Sequence, residues 1–290
     1  MEVDHPDQMY WIDAQITKAA YASYLTAAAP LFLADTKDRL LMIWLYPHGV
    51  DGKRIEKRTL PASAPSYVCR KRYKGKMRMV LNDTATLHWA LNYGAVEFHV
   101  PFDTISRTGF PTLLFFDLDR ANQLPFSAVL ECAQHLKKVL DGLGLISTVK
   151  FSGKTGLHVG VPLNPVYLFE QARPIQAFVA RYVVEKIPGL FTIERNKSKR
   201  RNKVYFDYLQ LWKGRSMVVP YSARAVPHAA VSAPVSWERI EQGAEPEHYT
   251  ISTVRERLNK EARRFSVAEE EKVQNTEIAG TIIDFLVSRR

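Results

Sequence analysis

The segment Thr112–Asp119, TLLFFDLD, constrains this chain more than any other. A run of large apolar residues reads as a buried strand, and two aspartates two positions apart end it. Residues at that spacing share one face of a strand, so Asp117 and Asp119 sit side by side. Neighbouring carboxylates at the end of a buried strand repel one another and are costly to desolvate. A divalent cation relieves both problems. Mg²⁺ and Mn²⁺ take oxygen ligands, and nucleotidyl transfer uses two such ions about 4 Å apart. The plainer alternative is a strand that simply exits into a polar loop.

Three further segments bear on that choice. Asp207 lies in KVYFDYLQ among apolar and aromatic neighbours. An acid inside a strand needs a partner, which can be a shared metal or a salt bridge to Lys203 or a neighbouring arginine. Phe151–His158, FSGKTGLH, is a turn between two strands. Its glycines can let backbone N–H groups face an anion, with Ser152, Lys154, Thr155 and His158 as further donors. The same pattern also fits an ordinary glycine hairpin. It is not a Walker A loop, because position 148 is Thr148 and no helix follows. His99 ends the strand VEFHVP and is readable as a structural histidine or as a ligand contact. No nucleophile elbow, HExxH or dinucleotide fingerprint is present, which weakens the hydrolase, zinc-protease and dehydrogenase readings.

Charge adds a partner class. Lys plus Arg number 40 against 30 Asp plus Glu, a formal charge of +10. The excess is clustered: Arg70–Arg78 and Arg195–Lys203 each carry six basic residues in nine, and Lys53–Arg58 carries four. One such run is ordinarily a solvated loop or hairpin, but three runs in an aromatic-rich chain favour nucleic acid. The two cysteines, Cys69 and Cys132, exclude a disulfide scaffold and a cysteine zinc site, and fit a reducing cytoplasm. Apolar runs such as Leu40–Tyr46 are far shorter than a membrane span, and the N-terminus carries no leader pattern.

The remaining pattern is α+β, with mostly antiparallel pairing around short turns. Thr17 caps a helix that Pro30 should end. Asp83 caps a helix over Thr84–Tyr93, stopped at Gly94. Further helices are expected over Phe126–Asp141, Glu170–Lys186, Arg255–Arg264 and Val273–Ser288. Strands are expected over Arg39–Tyr46, Ala95–Val100, Ser147–Phe151, Leu157–Val161, Lys203–Leu209 and Ser216–Val219, with basic hairpins across 53–80. With no internal repeat and no Gly/Ser linker, the 290 residues read as one domain. Within it we separate a basic part at 1–110, the chemistry-bearing motifs at 111–237 and a helical extension at 238–290.

Taken in order, His99, DLD at 117–119, SGKTGLH at 152–158, Asp207 and PYSAR at 220–224 resemble a known family. It is the polymerase domain of bacterial ligase D, within the archaeo-eukaryotic primase superfamily. The likeness runs from HPDQMYW near the start to about Trp237 and includes KVYFDYLQ and VVPYSARA. It implies a primase-like fold, with two mixed or antiparallel sheet lobes flanked by helices around a catalytic cleft. It implies a template-dependent nucleotidyltransferase that extends a primer with NTPs or dNTPs using two Mn²⁺ or Mg²⁺ ions. By the same resemblance Asp117, Asp119 and Asp207 would hold the metals. His99, Ser152, Lys154, His158, Arg200, Gln210 and Arg224 would hold the nucleotide. Lys18, Arg54, Arg70, Lys71 and Arg72 are expected at the DNA. The implied partners are gapped or broken DNA, nucleoside triphosphates, a DNA ligase and a Ku-type end-binding protein, in the cytoplasm at the nucleoid. The rival readings are a de novo primase and a non-catalytic nucleic-acid-binding module of the same fold.

The sequence departs from the family where a DNA end would be held. Gln8 stands in place of a phosphate-binding lysine, while Lys18 keeps the second such position. Ile43 and Trp44 replace cations, and GKRIEKR lacks the phenylalanine pair that stacks on DNA.

Overall fold

The computed structural model describes residues 2–121 and 124–289, with Glu261 placed by its backbone alone. Along the chain run β1 (Met9–Trp11), β2 (Ile16–Thr17), α1 (Lys18–Thr36), β3 (Met42–Leu45), β4 (Ile55–Lys57), β5 (Arg70–Tyr73), β6 (Lys76–Met79), α2 (Thr84–Asn92) and β7 (Ala95–Pro101). There follow β8 (Leu113–Asp119), α3 (Phe126–Gly142), β9 (Thr148–Phe151), β10 (Gly156–Pro162), α4 (Phe169–Lys186), β11 (Phe191–Thr192), β12 (Val204–Asp207) and β13 (Ser216–Val218). The chain closes with β14 (Pro234–Val235), α5 (Trp237–Glu241), α6 (Ile251–Glu261) and α7 (Glu269–Ser288).

These elements form two compact units. One comprises Met1–Pro101, Ser216–Ala233 and Pro246–Ala262, and the other Phe102–Arg215, Pro234–Glu245 and Arg263–Arg290. The first unit is built on a four-stranded sheet in the order β13-β7-β3-β4. Its strands pair antiparallel, with His99 of β7 opposite Met42 and Val218. The long helix α1 belongs to this unit. Its Tyr21 and Tyr24 hydroxyls donate to the carbonyls of Val96 and Tyr221, and Phe32 meets Phe98 edge-on. Thr17 caps α1 as expected, accepting from the Ala20 N–H. Pro30 does not end it. The helix runs through the proline to Thr36, because Phe32 and Thr36 beyond it are both fully buried. Their burial offsets the roughly 3 kcal/mol that a proline costs a helix interior.

The basic hairpins expected across 53–80 are one hairpin. β5 and β6 pair with each other, and Arg78 of β6 also bridges Thr59, whereas β4 joins β3 as an edge strand. The last two helices also begin earlier than their apolar periodicity suggests. Thr250 caps α6 from Ile251, and an acidic turn, Glu269–Glu271, opens α7.

The second unit is built on a six-stranded sheet, β11-β12-β8-β10-β9-β14. All its pairs are antiparallel except β11 with β12. On one face Leu114, Phe116 and Leu118 of β8 lie beside Val161, Val159 and Leu157 of β10, with Phe206 of β12 opposite Leu118. All seven are fully buried. The alternation of the strand therefore commits Phe115, Asp117 and Asp119 to the other face.

Candidate active site

The register of the second unit gathers the predicted acids. Asp117 of β8 is flanked by Asp207 on β12 and His158 on β10, and His158 is paired in turn with Lys150 on β9. Directly opposed residues point to the same face, with Cβ atoms roughly 4.5–5.5 Å apart. Asp207, Asp117, His158 and Lys150 thus form one row across four strands, and Asp119 starts the next row opposite Tyr205 and Gly156. Gly156 is required there, since a Cβ on it would lie 2.1 Å from the Leu118 carbonyl oxygen.

The side chains are held as follows. His158 Nε2 faces Asp117 Oδ1 at 3.6 Å, and His158 Nδ1 lies 2.8 Å from Lys150 Nζ. Asp207 Oδ1 accepts the Leu209 N–H at 3.0 Å. Lys203 is not its partner, because that ammonium donates to the Pro188 carbonyl. Among the described residues no three His, Cys, Asp or Glu side chains converge into a metal-holding cluster. With the Asp207 carboxylate turned to its own backbone, three oxygen donors share a face without closing into a cage. Three carboxylates on one face, half-buried, are nonetheless the donor set that a hard divalent cation takes. Burial pushes the Tyr205 phenol up to about 12, and the Asp207 carboxylate adds to the effect.

The turn after β9 is closed by its own serine. Ser152 Oγ accepts the N–H groups of Lys154 and Gly156, and the Ser152 N–H bonds the Gly156 carbonyl. Two N–H groups expected to face an anion therefore face the serine hydroxyl. Lys154 itself is exposed. Arg200 lies 3.6 Å over the Tyr205 ring, with Nε donating to the Glu194 carbonyl. Gln210 accepts from Arg215 Nη1 at 3.1 Å.

In the first unit a second cluster joins two residues that the sequence had offered separately. Glu97 of β7 is fully buried, and its Oε2 lies 3.1 Å from Arg224 Nε and 3.3 Å from His99 Nε2. Its Oε1 accepts the Ala225 N–H. The His99 ring packs on Trp44 at 4.7 Å, and Arg54 covers Trp44 at 4.2 Å. Glu97 was missed from the sequence, although a carboxylate two residues before His99 in an apolar strand was the available signal. Lys150, inside the apolar strand TVKF, was missed in the same way.

The residues expected at DNA have mixed surroundings. Lys71 and Arg72 are exposed on β5, whereas Arg70 is tied back to the carbonyls of Val68 and Pro65. Lys18 is buried at the start of α1, 5.9 Å from the Tyr10 ring centroid. Burial lowers its pKa, opposed by the nearby Asp4. The Gln8 amide donates to the Pro47 carbonyl at 2.8 Å.

The family model described as LigD, primase-polymerase domain, matches residues 17–265. The bifunctional non-homologous end joining protein LigD of Bacillus subtilis is 34% identical over 251 residues, which are 86% of this chain and 41% of that protein. The multifunctional non-homologous end joining protein LigD of Mycolicibacterium smegmatis is 28% identical over 268 residues, covering 89% of this chain and 35% of that protein. The chain thus spans about two fifths or less of the length of these relatives. The polymerase domain of Mycobacterium tuberculosis ligase D, solved in complex with DNA, superposes with a TM-score of 0.81 at 25% identity, covering 90% of this chain and 94% of that one.

Proposed function

The chain belongs to the LigD primase-polymerase domain family, a nucleotidyltransferase family, and on that premise we propose that it extends a primer against a template from nucleoside triphosphates. The observation that carries this reading is the row Asp207–Asp117–His158, with Asp119 beside it on the same face. In the reaction a primer 3′-oxygen forms a bond to the α-phosphorus. The bond from that phosphorus to the β-phosphate bridging oxygen breaks, and pyrophosphate leaves.

Asp117, Asp119 and Asp207 would hold two divalent cations, Mg²⁺ or Mn²⁺. Once bound, these supply Lewis acidity to the 3′-hydroxyl and neutralise charge on the triphosphate. Recruiting Asp207 to that set requires its carboxylate to turn from the Leu209 N–H. In the same unit, His158 and Ser152 would donate to the nucleotide, and Lys154, Arg200 and Gln210 would steady its phosphates and sugar. In the first unit, Glu97 holds His99 and Arg224 in fixed positions. An arginine pre-set by a buried carboxylate keeps less rotational freedom to lose on binding phosphate.

DNA would be held through Lys71, Arg72 and Arg54, with Lys18 buried away from it and Arg70 shaping the loop at Pro65–Val68. The setting would be gap filling at broken ends in the bacterial cytoplasm, at the nucleoid, alongside a DNA ligase and a Ku-type protein. No described helix is long and apolar enough to cross a membrane.

The test is primer extension on a gapped duplex with Mn²⁺ or Mg²⁺, comparing NTPs with dNTPs and including a primer-free arm. The expected result is metal-dependent extension with NTPs used at least as well as dNTPs. Binding of DNA without incorporation under any metal would leave a non-catalytic module instead. Products in the primer-free arm would identify a primase.

A further inference from the structure

Gln176 lies on the buried face of α4 with Ala172, Ile175, Val179 and Ala180, and is itself fully buried. Its Nε2 donates to the Phe115 carbonyl of β8, while its Oε1 meets no donor among the described residues. A buried amide with one end unpaired is destabilising, and a leucine would fill this apolar face without that cost. What a leucine could not do is bond the Phe115 carbonyl.

That carbonyl belongs to the edge of β8 that β12 covers. Val204 donates its N–H to Leu190 on the β11 side. Alternation turns the backbone groups of Tyr205 and Asp207 the other way, to β8, where they meet Asp119 and Asp117. Phe115, two residues before Asp117, points its backbone groups to the same edge, and its partner in this register would be Leu209. That pair is not made, because β12 ends at Asp207. The Tyr208 N–H bonds the Phe206 carbonyl two residues back, so the chain turns at Asp207. The Leu209 N–H goes to Asp207 Oδ1, and Gln176 takes the carbonyl that Leu209 leaves. Both halves of the missing pair are thus bonded elsewhere.

The break decides what the catalytic face carries. Continued by one pair, β12 would set the Leu209 side chain beside Asp207 on the face of Asp117. It would also turn Gln210 to the opposite face, where Phe116, Leu118 and Phe206 are buried. Broken where it is, β12 leaves Asp207 as its last residue, with no strand neighbour beyond it to hinder its carboxylate.

We infer that Gln176 is a positioning residue for nucleotidyl transfer: by occupying the Phe115 carbonyl it ends the β8–β12 ladder at the Asp117–Asp207 pair, and so keeps Asp207 at a strand end where its carboxylate has room to turn to a divalent cation. The inference rests on the reading of Asp117, Asp119 and Asp207 as metal-holding acids, but the end of the ladder is a property of the resting protein and is measured without turnover.

The experiment has two arms. The first is amide hydrogen exchange of the intact chain, resolved by residue in ¹H–¹⁵N spectra. In the wild type the Leu209 amide should be at least about tenfold less protected than the Asp207 amide, which lies in the ladder. Gln176→Met keeps a long side chain and removes the donor, which leaves the Phe115 carbonyl to Leu209. The Leu209 amide should then exchange about tenfold more slowly. Equal protection of Leu209 and Asp207 in the wild type, or unchanged Leu209 exchange in Gln176→Met, overturns the inference. Gln176→Leu is the second donor-free variant, and the wild-type comparison decides whether the ladder ends at Asp207 if neither variant folds.

The second arm is the Mn²⁺ dependence of single-turnover primer extension. Hindering one of three carboxylates predicts that the Mn²⁺ concentration for half-maximal extension rises about tenfold or more in Gln176→Met, with extension recovering at saturating Mn²⁺ and DNA affinity unchanged. A lowered melting temperature with an unchanged Mn²⁺ dependence would make Gln176 structural only and overturn its positioning role. No extension by the wild type under any metal would refute the polymerase reading, while the exchange result would still decide where the ladder ends.

Discussion

Glu97→Ala isolates the buried charge cluster of the first unit. Glu97 is fully buried, and its partners Arg224 and His99 are each 7% exposed. The substitution leaves the Arg224 guanidinium without its carboxylate at 3.1 Å, and strips the Ala225 N–H of its acceptor. Breaking one side of a buried ion pair costs about 3–5 kcal/mol, because the surviving charge stays desolvated. Glu97→Gln should cost less, since the amide oxygen can still accept from the Ala225 N–H. The double variant Glu97→Gln with Arg224→Met should recover part of the loss, because no charge is then stranded. The assay is urea unfolding of the three variants against wild type, with the slope checked for a change in the unfolding unit. A cost below about 1 kcal/mol for Glu97→Ala would refute the reasoning, since that is the value of a surface pair.

Three other outcomes follow from particular contacts. Burial works to raise the Asp83 pKa, but the Cys69 thiol and the Thr86 and Ala85 groups bonded to it outweigh burial and hold it below the usual carboxylate range. The helix-capping stability is therefore fully present above the unfolded-state value of about 3.9 and is lost as pH falls through the lower folded value. Asp83→Ala should cost about 0.5–2 kcal/mol at pH 7, with the difference from wild type shrinking below about pH 4 in parallel melts. Gly156→Ala must push β10 from β8 beside Asp119, so a loss of at least about 1–3 kcal/mol is expected, while Gly189→Ala, with nothing within 4 Å, should stay within about 0.5 kcal/mol. With Gln8 engaged by Pro47 and Lys18 buried, a 5′-phosphate on gapped DNA should change affinity by less than about tenfold, and binding should fall steeply with salt. A larger phosphate effect, removed by Lys18→Ala, would contradict this.

Much of the fold was readable because single residues carry local signals. Thr17 and Asp83 are side-chain caps whose geometry needs no tertiary context. The alternation in LLFFDLD specified which face of β8 is buried and which presents its acids. What resisted was set by contacts distant in sequence. Pro30 is a local stop signal that burial of Phe32 and Thr36 overrides. β13 resembles a hairpin partner of β12 in the linear order, yet it pairs with β7 in the other sheet. The pair spacing of Asp117 and Asp119 was visible, but the cross-strand row through His158 to Lys150 depends on register, which no local pattern encodes. Glu97 and Lys150 were passed over because charged residues are expected at the surface, and both are buried beside a partner of complementary hydrogen-bonding chemistry.

If the face carrying Asp117, Asp119 and Asp207 performs nucleotidyl transfer, its carboxylates are indispensable to incorporation. The most direct measurement is single-turnover primer extension by Asp117→Asn and Asp119→Asn, with DNA affinity and thermal unfolding measured on the same preparations. Each change removes one carboxylate charge from this face of the sheet without removing buried apolar surface. Incorporation should fall by more than about a hundredfold, with DNA binding and folding kept. Near wild-type extension by either variant would contradict that role.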